Sequence, residues 1–387
     1  MSGFSFFFAG PLRESALETI PQYLATSYGE VAAPIASVFT SIGIFLNIIA
    51  QLLAAISLLT SMFPLTPAVA ALIAITLIVF NVLFGGFMAT GIVGIVKMAL
   101  LYLTLLITGV VVYGNMGGIS GLHSSLPAFP WFSLFGRGFS SDAAAGLSLL
   151  IGVLSTQTYI LAVFSGKDVK ASRKGALWAG LIIPPCGIVG VWVGMYMRIR
   201  FPGLDAAEAF PMFVINFLPP WLGGAVLATL LVAVIGAAGG LSLGISTMLA
   251  KDIYKRFIRP EAQDRQVLRV TRRLLIAVLL LSLVFVSGSL RLMILQWSFL
   301  SMGLRGATVF FPLVGAIFFK NYVKPMAGIL SLVAGPLADL IWKLLNPGGT
   351  DPLYAGLFVS LIVLVLGSWV FRPRLTPEYP SCRSAEK

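Results

Sequence analysis

Charge is what this sequence has least of. Asp, Glu, Lys and Arg together make up 10% of its 387 residues, against roughly a quarter in a soluble domain, and that scarcity excludes a water-soluble globular protein. Cysteine is nearly absent. Cys186 falls in an apolar run and Cys382 in the C-terminal tail, a pair that gives neither a disulfide framework nor metal-ligand spacing. The single histidine, His123, stands in a polar stretch and suggests no zinc or haem centre. The chain has no GxxxxGK[ST] loop, so it does not read as an ATP-driven pump. No HExxH, paired intramembrane carboxylates or Cys/His cluster supports a membrane protease or redox enzyme, and no filter-like repeat supports a potassium channel. The chain is therefore read as a non-enzyme without a cofactor.

What the sequence has is apolar length. Hydrophobic residues make up 58%, mean hydropathy is +0.98, and runs near the 20 residues that cross a bilayer recur along almost the whole chain. Only helices and closed barrels satisfy their backbone in lipid, and barrel strands alternate apolar with polar residues. These runs do not alternate, so the fold class is all-α, a polytopic helical bundle forming one membrane domain over 1–387. Residues 3–11 are apolar but too short to span and lack a signal-peptide layout. In the polar segment 12–31, Pro21 is expected to open a short surface helix. About ten spans follow, at 32–61, 65–84, 86–113, 145–164, 176–197, 221–250, 274–290, 293–319, 326–345 and 354–371.

The net charge of +12 does not point to nucleic acid, because the cations sit in short connections between spans. Threading ten spans from an inside N-terminus puts 165–175, the basic loop 251–273, 320–325 and the tail 372–387 on one side. The loop 251–273 alone holds Lys251, Lys255, Arg256, Arg259, Arg265, Arg269, Arg272 and Arg273. By the positive-inside rule that side is the cytoplasm. The expected setting is the plasma (inner) membrane, multi-pass, with both termini cytoplasmic and the lipid bilayer as partner.

Lys97, in IVGIVKMALLYLTLLI, lies roughly 16 Å along the helix axis from residue 86, far for a snorkelling side chain. A cation at that depth usually faces a bundle interior or a wet cavity. Arg305 is a second buried cation, whereas Asp339, near Lys343, is expected close to the outer boundary. Asn47 and Gln51, four apart, share a helix face. STQTY (155–159) sets a run of hydrogen-bonding side chains in mid-span, of which Ser and Thr can bond back to their own helix. Dense glycine at 85–94 and 236–244 reads either as close helix packing or as loosened helix lining a cavity.

Five stretches, in order, resemble the sodium:solute symporter family. ETIPQYLATSYG (18–29) is similar to its Thr-x-Pro-x-Tyr-Leu-x-x-Arg-Tyr-Gly segment, with Ser27 in place of the arginine. NVLFGGFMA (81–89) resembles its Gly-Gly-x-x-Ala turn. STQTYILAVFSGKDVKASRKGAL (155–177) resembles the substrate-side helix with a basic exit. A small-residue span ending STMLAKDIYK (246–255) resembles the family's close at Asp-Ile-Tyr-Lys, and FFPLVGAIFFKNYVKPMAGILS (310–331) its late Pro-x-x-x-Gly span. The resemblance implies a five-plus-five inverted-repeat transporter, a small organic solute bound near the midplane, and alternating access. It also implies further spans ahead of the Thr-x-Pro-x-Tyr segment, so the chain is expected to be N-terminally short. Only three helices of the first repeat are expected here, 32–61, 65–84 and 86–113.

Solute-path candidates from polarity, depth and the resemblance are Asn47, Gln51, Ser155, Thr156, Gln157, Tyr159 and Ser298. Coupling-ion candidates come from the resemblance alone. Its sodium-ligating hydroxyl pair falls on Gly236 and Ala237, and its Thr-Asp-x-x-Gln pattern falls on Val93, Gly94 and Lys97. Sodium ligands are thus replaced where a cation is gained, and Lys97 is expected to fill the space of the ion. The coupling ion is left open between sodium, which the family implies, and a proton. The alternatives are a sodium-independent carrier, proton-coupled or uniport, and a non-transporting sensor or assembly subunit with the same fold.

Overall fold

The computed structural model of the chain describes residues 8–15, 17, 19–156, 160, 163, 166–287, 294–346 and 351–370, the side chains of 84–93, 287, 295 and 296 excepted. Gln157, Tyr159 and the tail 372–387 lie outside the described residues.

Helices α1 (Ala9–Glu14) and α2 (Ile20–Tyr28) precede the first long helix. The Thr19 hydroxyl caps α2 by accepting from the Gln22 amide, and Pro21 sits in the first turn, where a missing N–H costs nothing. The short helix expected at Pro21 forms, with one face buried and Thr26 exposed on the other. Ile20, Leu24 and Tyr28 join Leu12, Val309, Leu313 and Leu332 in one apolar cluster, and the Tyr28 hydroxyl donates to the Pro312 carbonyl at 2.6 Å. Packing of the ring against Gly328, where even a methyl group would collide with it, fixes this arrangement.

Then come α3 (Ala32–Met62), α4 (Pro67–Asn115), the short α5 (Gly118–Ser125) and α6 (Ala128–Trp131), and α7 (Phe139–Leu154). They are followed by α8 (Val169–Arg200), α9 (Ala209–Phe217) and α10 (Pro220–Met248), which continues as wider π-helical turns, Leu249–Ile258. The chain ends with α11 (Asp264–Ser287), α12 (Ile294–Phe318), α13 (Pro325–Leu345) and α14 (Pro352–Val370). The α3 helix is the central post, packed on α2, α4, α10, α11 and α12.

Among the described residues seven helices are long and apolar enough to cross a membrane, where ten spans were expected. The other three expected spans, 274–290, 145–164 and 65–84, differ for separate reasons, and the last runs on into the matched span 86–113. The span at 274–290 is the apolar half of α11, whose first turns carry Arg265, Arg269, Arg272 and Arg273. The span at 145–164 stops as a regular helix at Leu154. Those at 65–84 and 86–113 form one helical element of 49 residues, with no proline between Pro67 and Asn115 to interrupt it.

The halves of α4 nonetheless stand side by side. A straight helix of that length would measure about 73 Å and would set Ile78 and Lys97 about 28 Å apart. Yet Ile78 and Lys97 reach Gly239 and Gly236 respectively, three residues apart on α10. Leu58 and Met62, at the end of α3, pack in one cluster with Val112 and Met116, while Leu65 packs with Ala70 and Ala71. The α4 element is therefore not straight but bent between Ile78 and Lys97.

The basic stretch 251–273 is not a loop. It is helical to Ile258 and again from Asp264. Asp252, 2% exposed, accepts from the Ser37 hydroxyl at 2.9 Å and from the Gln22 amide at 3.4 Å. It ties the end of α10 to α2 and α3, and Arg256 pairs with Glu30 beside it.

Candidate functional site

The centre of the bundle is built where α7 stops. Gly152 admits Met302 of α12, and Gly306 admits Ile151, to distances at which added methyl groups would collide. The backbones thereby come close enough for the end of α7 to lodge against α12. The Ser155 amide bonds back to the Ile151 and Gly152 carbonyls, and Thr156 is already non-helical. A Ser-Thr pair suits such a break, because each hydroxyl can satisfy backbone that has left the helix. The Thr156 hydroxyl donates to the Gly152 carbonyl. Ser155 is fully buried, with no hydrogen-bond partner for its hydroxyl.

Arg305 of α12 closes this centre. It is 0% exposed. Its Nη1 donates to Thr156 Oγ1 at 2.9 Å, its Nη2 to Ser301 Oγ at 2.9 Å and its Nε to the Ser301 carbonyl at 3.0 Å. The Ser301 hydroxyl donates in turn to the Gly43 carbonyl of α3. Gly43 is required there, since a Cβ would run into the Arg305 stem. One guanidinium thus joins α3, α12 and the broken end of α7. Reading the sequence marked Arg305 only as a buried cation; its link to Thr156, 149 positions away, had no local signal. Gly43 and Ser301 escaped notice because each is an ordinary small residue of a membrane helix.

The other solute-path candidates extend along the same seam. Asn47, buried, is one turn beyond Gly43, and Gln51, half-buried, is a turn further on the same face of α3. Ser298, half-buried, is one turn before Ser301 on α12.

The coupling candidates form a second place, on α4 and α10. Lys97 is half-buried, and its Nζ lies 2.7 Å from the point a Cβ on Gly236 would occupy. One turn along α10, the corresponding point at Gly239 is 3.5 Å from Asn81 Oδ1. The ammonium therefore rests in the space that glycine leaves open on α10. Gly94 is half-buried, with open space where a side chain would start. Ala237 is exposed on the far side of α10 and takes no part in the Lys97 contact.

Asp339, expected close to the outer boundary, is turned into the bundle. It is 1% exposed and faces Gly303, two residues from Arg305 along α12, because Gly303 and Gly356 let α12 and α14 close over it.

Comparison with known proteins follows the same lines. A model of the sodium:solute symporter family matches residues 4–331. The chain is 23% identical over 394 residues to the uncharacterized symporter YwcA of Bacillus subtilis (strain 168), covering 94% of this chain and 76% of that protein. It is 24% identical over 406 residues to the sodium/myo-inositol cotransporter 2 of Homo sapiens, covering 92% of this chain but only 56% of that protein. The fold superposes on a Na+-coupled sialic acid symporter in a substrate-bound outward-open state with a TM-score of 0.75. That match covers 96% of this chain and 81% of the other, at 18% identity.

Proposed function

The chain belongs to the sodium:solute symporter family, and from that premise we propose that it is a secondary active transporter carrying a small organic solute by alternating access. The observation that carries this reading is the broken end of α7 lodged in the bundle centre, with Thr156, Arg305, Ser301 and Gly43 in one hydrogen-bonded chain. Irregular backbone is tolerated in a membrane where it is buried in protein or lines a cavity, and transporters place their solutes at such breaks. The proposed solute path runs from Ser155 and Thr156 along the α3–α12 seam past Ser298, Asn47 and Gln51. Gln157 and Tyr159 follow Thr156 directly in sequence and are included on that ground. The similar proteins carry names as different as myo-inositol and sialic acid, so the solute itself is left to experiment.

Family membership implies coupling to sodium. A second reading, a carrier that does not use sodium, is favoured by one specific contact. Lys97 brings an ammonium against Gly236, and neither Gly236 nor Ala237 has a side-chain oxygen to offer a hard cation. In this reading the lysine stands in for the ion and can couple transport by giving and taking a proton. The plasma membrane is the proposed setting, with the cation-rich end of the bundle in the cytoplasm.

The test is uptake of a panel of labelled solutes into proteoliposomes, under a sodium gradient, a proton gradient or neither. Accumulation under one gradient establishes transport and names the ion. Failure of every solute under every gradient would overturn the transporter reading.

A further inference from the structure

Asp339 has no place in the mechanism above, and its surroundings are unusual for a carboxyl group. It is 1% exposed, and neither side-chain oxygen has a hydrogen-bond partner. Three glycines bring helices close around it. On α12, a Cβ at Gly303 would stand 3.9 Å from Asp339 Oδ1. On α14, a Cβ at Gly356 would stand 3.0 Å from Asp339 Cβ and 2.7 Å from Ala307 Cβ. Gly335, one turn earlier on α13, abuts the Ala307 carbonyl. Leu353 and Ala307 supply the apolar walls.

Of the charged and titratable groups on the packed elements, Asp351 and Lys343 act on the carboxyl through space, and none hydrogen-bonds to it. Lys343, one turn on along α13, is exposed, and Asp351 precedes α14. Tyr354 of α14 turns its hydroxyl to the Ser140 carbonyl. Arg305 of α12 turns its guanidinium to Ser301 and Thr156. The α3 helix has no titratable side chain. On α2, Tyr28 is seated on Gly328, three turns from Asp339, and Tyr23 is the other titratable group.

An ionised carboxylate in such a niche would cost many kcal/mol, and a group so placed neutralises instead. A hard metal ion does not fit. It needs several oxygen ligands, and no group of three His, Cys, Asp or Glu exists among the described residues. The cation of matching size is a proton. We propose that Asp339 is an intramembrane proton-binding site. Its carboxyl holds a proton while α12, α13 and α14 are closed around it and releases the proton when they part. The route out is the end of α13 and the start of α14, where Lys343 and Asp351 stand. This site is separate from the Lys97–Gly236 contact and does not depend on which ion drives uptake.

The experiment is infrared difference spectroscopy on the full chain in proteoliposomes, wild type against Asp339→Asn, with isotope-labelled aspartate to identify the band. The expected result is a protonated-carboxyl stretch at neutral pH that is missing from the variant. An ionised-carboxylate band from Asp339 in the folded protein would overturn the proposal. So would conversion of the protonated band by added sodium at fixed pH, which would make the niche a metal site. If the variant does not assemble, the band in labelled wild-type protein decides alone. None of these readouts requires transport, so failure of uptake and failure of this site are distinguishable.

Discussion

Lys97 and Gly236 meet across the α4–α10 seam, with the ammonium nitrogen 2.7 Å from where a methyl group on residue 236 would stand. Because the atom met is the free end of a flexible side chain, Gly236→Ala should turn the ammonium aside at a cost under about 1 kcal/mol, below that of overpacking a rigid core. In Lys97→Ala that contact is gone, so the double variant should be less destabilised than the two single effects added together, by up to about 0.5 kcal/mol. Thermal unfolding of the four proteins checks this, and strictly additive shifts would show that the two residues do not touch.

The same contact separates the two coupling readings. If Lys97 stands in for the ion, Lys97→Gln should abolish gradient-driven accumulation while sodium has no effect on wild type. If sodium drives transport, wild-type uptake should scale with the sodium gradient. Measuring initial rates with sodium replaced by choline decides between them.

Arg305 presents a fork that one ammonium cannot imitate. Arg305→Lys should lose the simultaneous links to Thr156 and Ser301 and lower uptake at least tenfold, with a stability loss of about 1.5–3 kcal/mol for hydrogen bonds to a charged group. Thr156→Val removes one link only and should cost less. Equal uptake by Arg305→Lys and wild type would remove the guanidinium from the site.

Asp252 has a structural job that predicts a graded series. Asp252→Ala strips Ser37 and Gln22 of their acceptor and should destabilise by about 1.5–3 kcal/mol. Asp252→Asn keeps one oxygen and should lose less. Glu30→Gln breaks an exposed pair with Arg256 and should fall under about 1 kcal/mol. Unfolding midpoints in detergent rank the three.

Before α7, the Arg137 amide and guanidinium bond Asp142 and hold its carboxyl below the usual aspartate range. Its folded-state value is depressed, so the contribution to stability is present above the unfolded-chain value and is lost as pH falls through the folded one. The partner guanidinium is largely exposed, so the effect should be small and screened by salt. Titration of Asp142 in wild type and Arg137→Gln should show a lower midpoint in the former, with the difference closing at high salt.

The long helices were legible because twenty apolar residues in a row have one physical outcome in lipid, and the family was legible because motifs such as STMLAKDIYK occur in order. Lys97 opposite Gly236 was also anticipated, since both positions came from one alignment. What could not be read was contact between distant small residues. Nothing local in LSMGLRG says that Arg305 reaches Thr156, or that Gly303 opens a niche for Asp339. The end of α7 at Leu154 was hidden for a related reason. Ser155 and Thr156 fit inside a membrane helix as well as outside one, and only the seating of Gly152 on Met302 and of Ile151 on Gly306 selects the break.

That break has an electrical consequence. The aligned peptide dipoles of a helix add up to roughly half a negative charge at its carboxyl end. The end of α7 delivers this partial charge beside the Arg305 guanidinium, in surroundings where low dielectric magnifies it. Moving α7 away from α12 would therefore separate opposite charges inside the membrane.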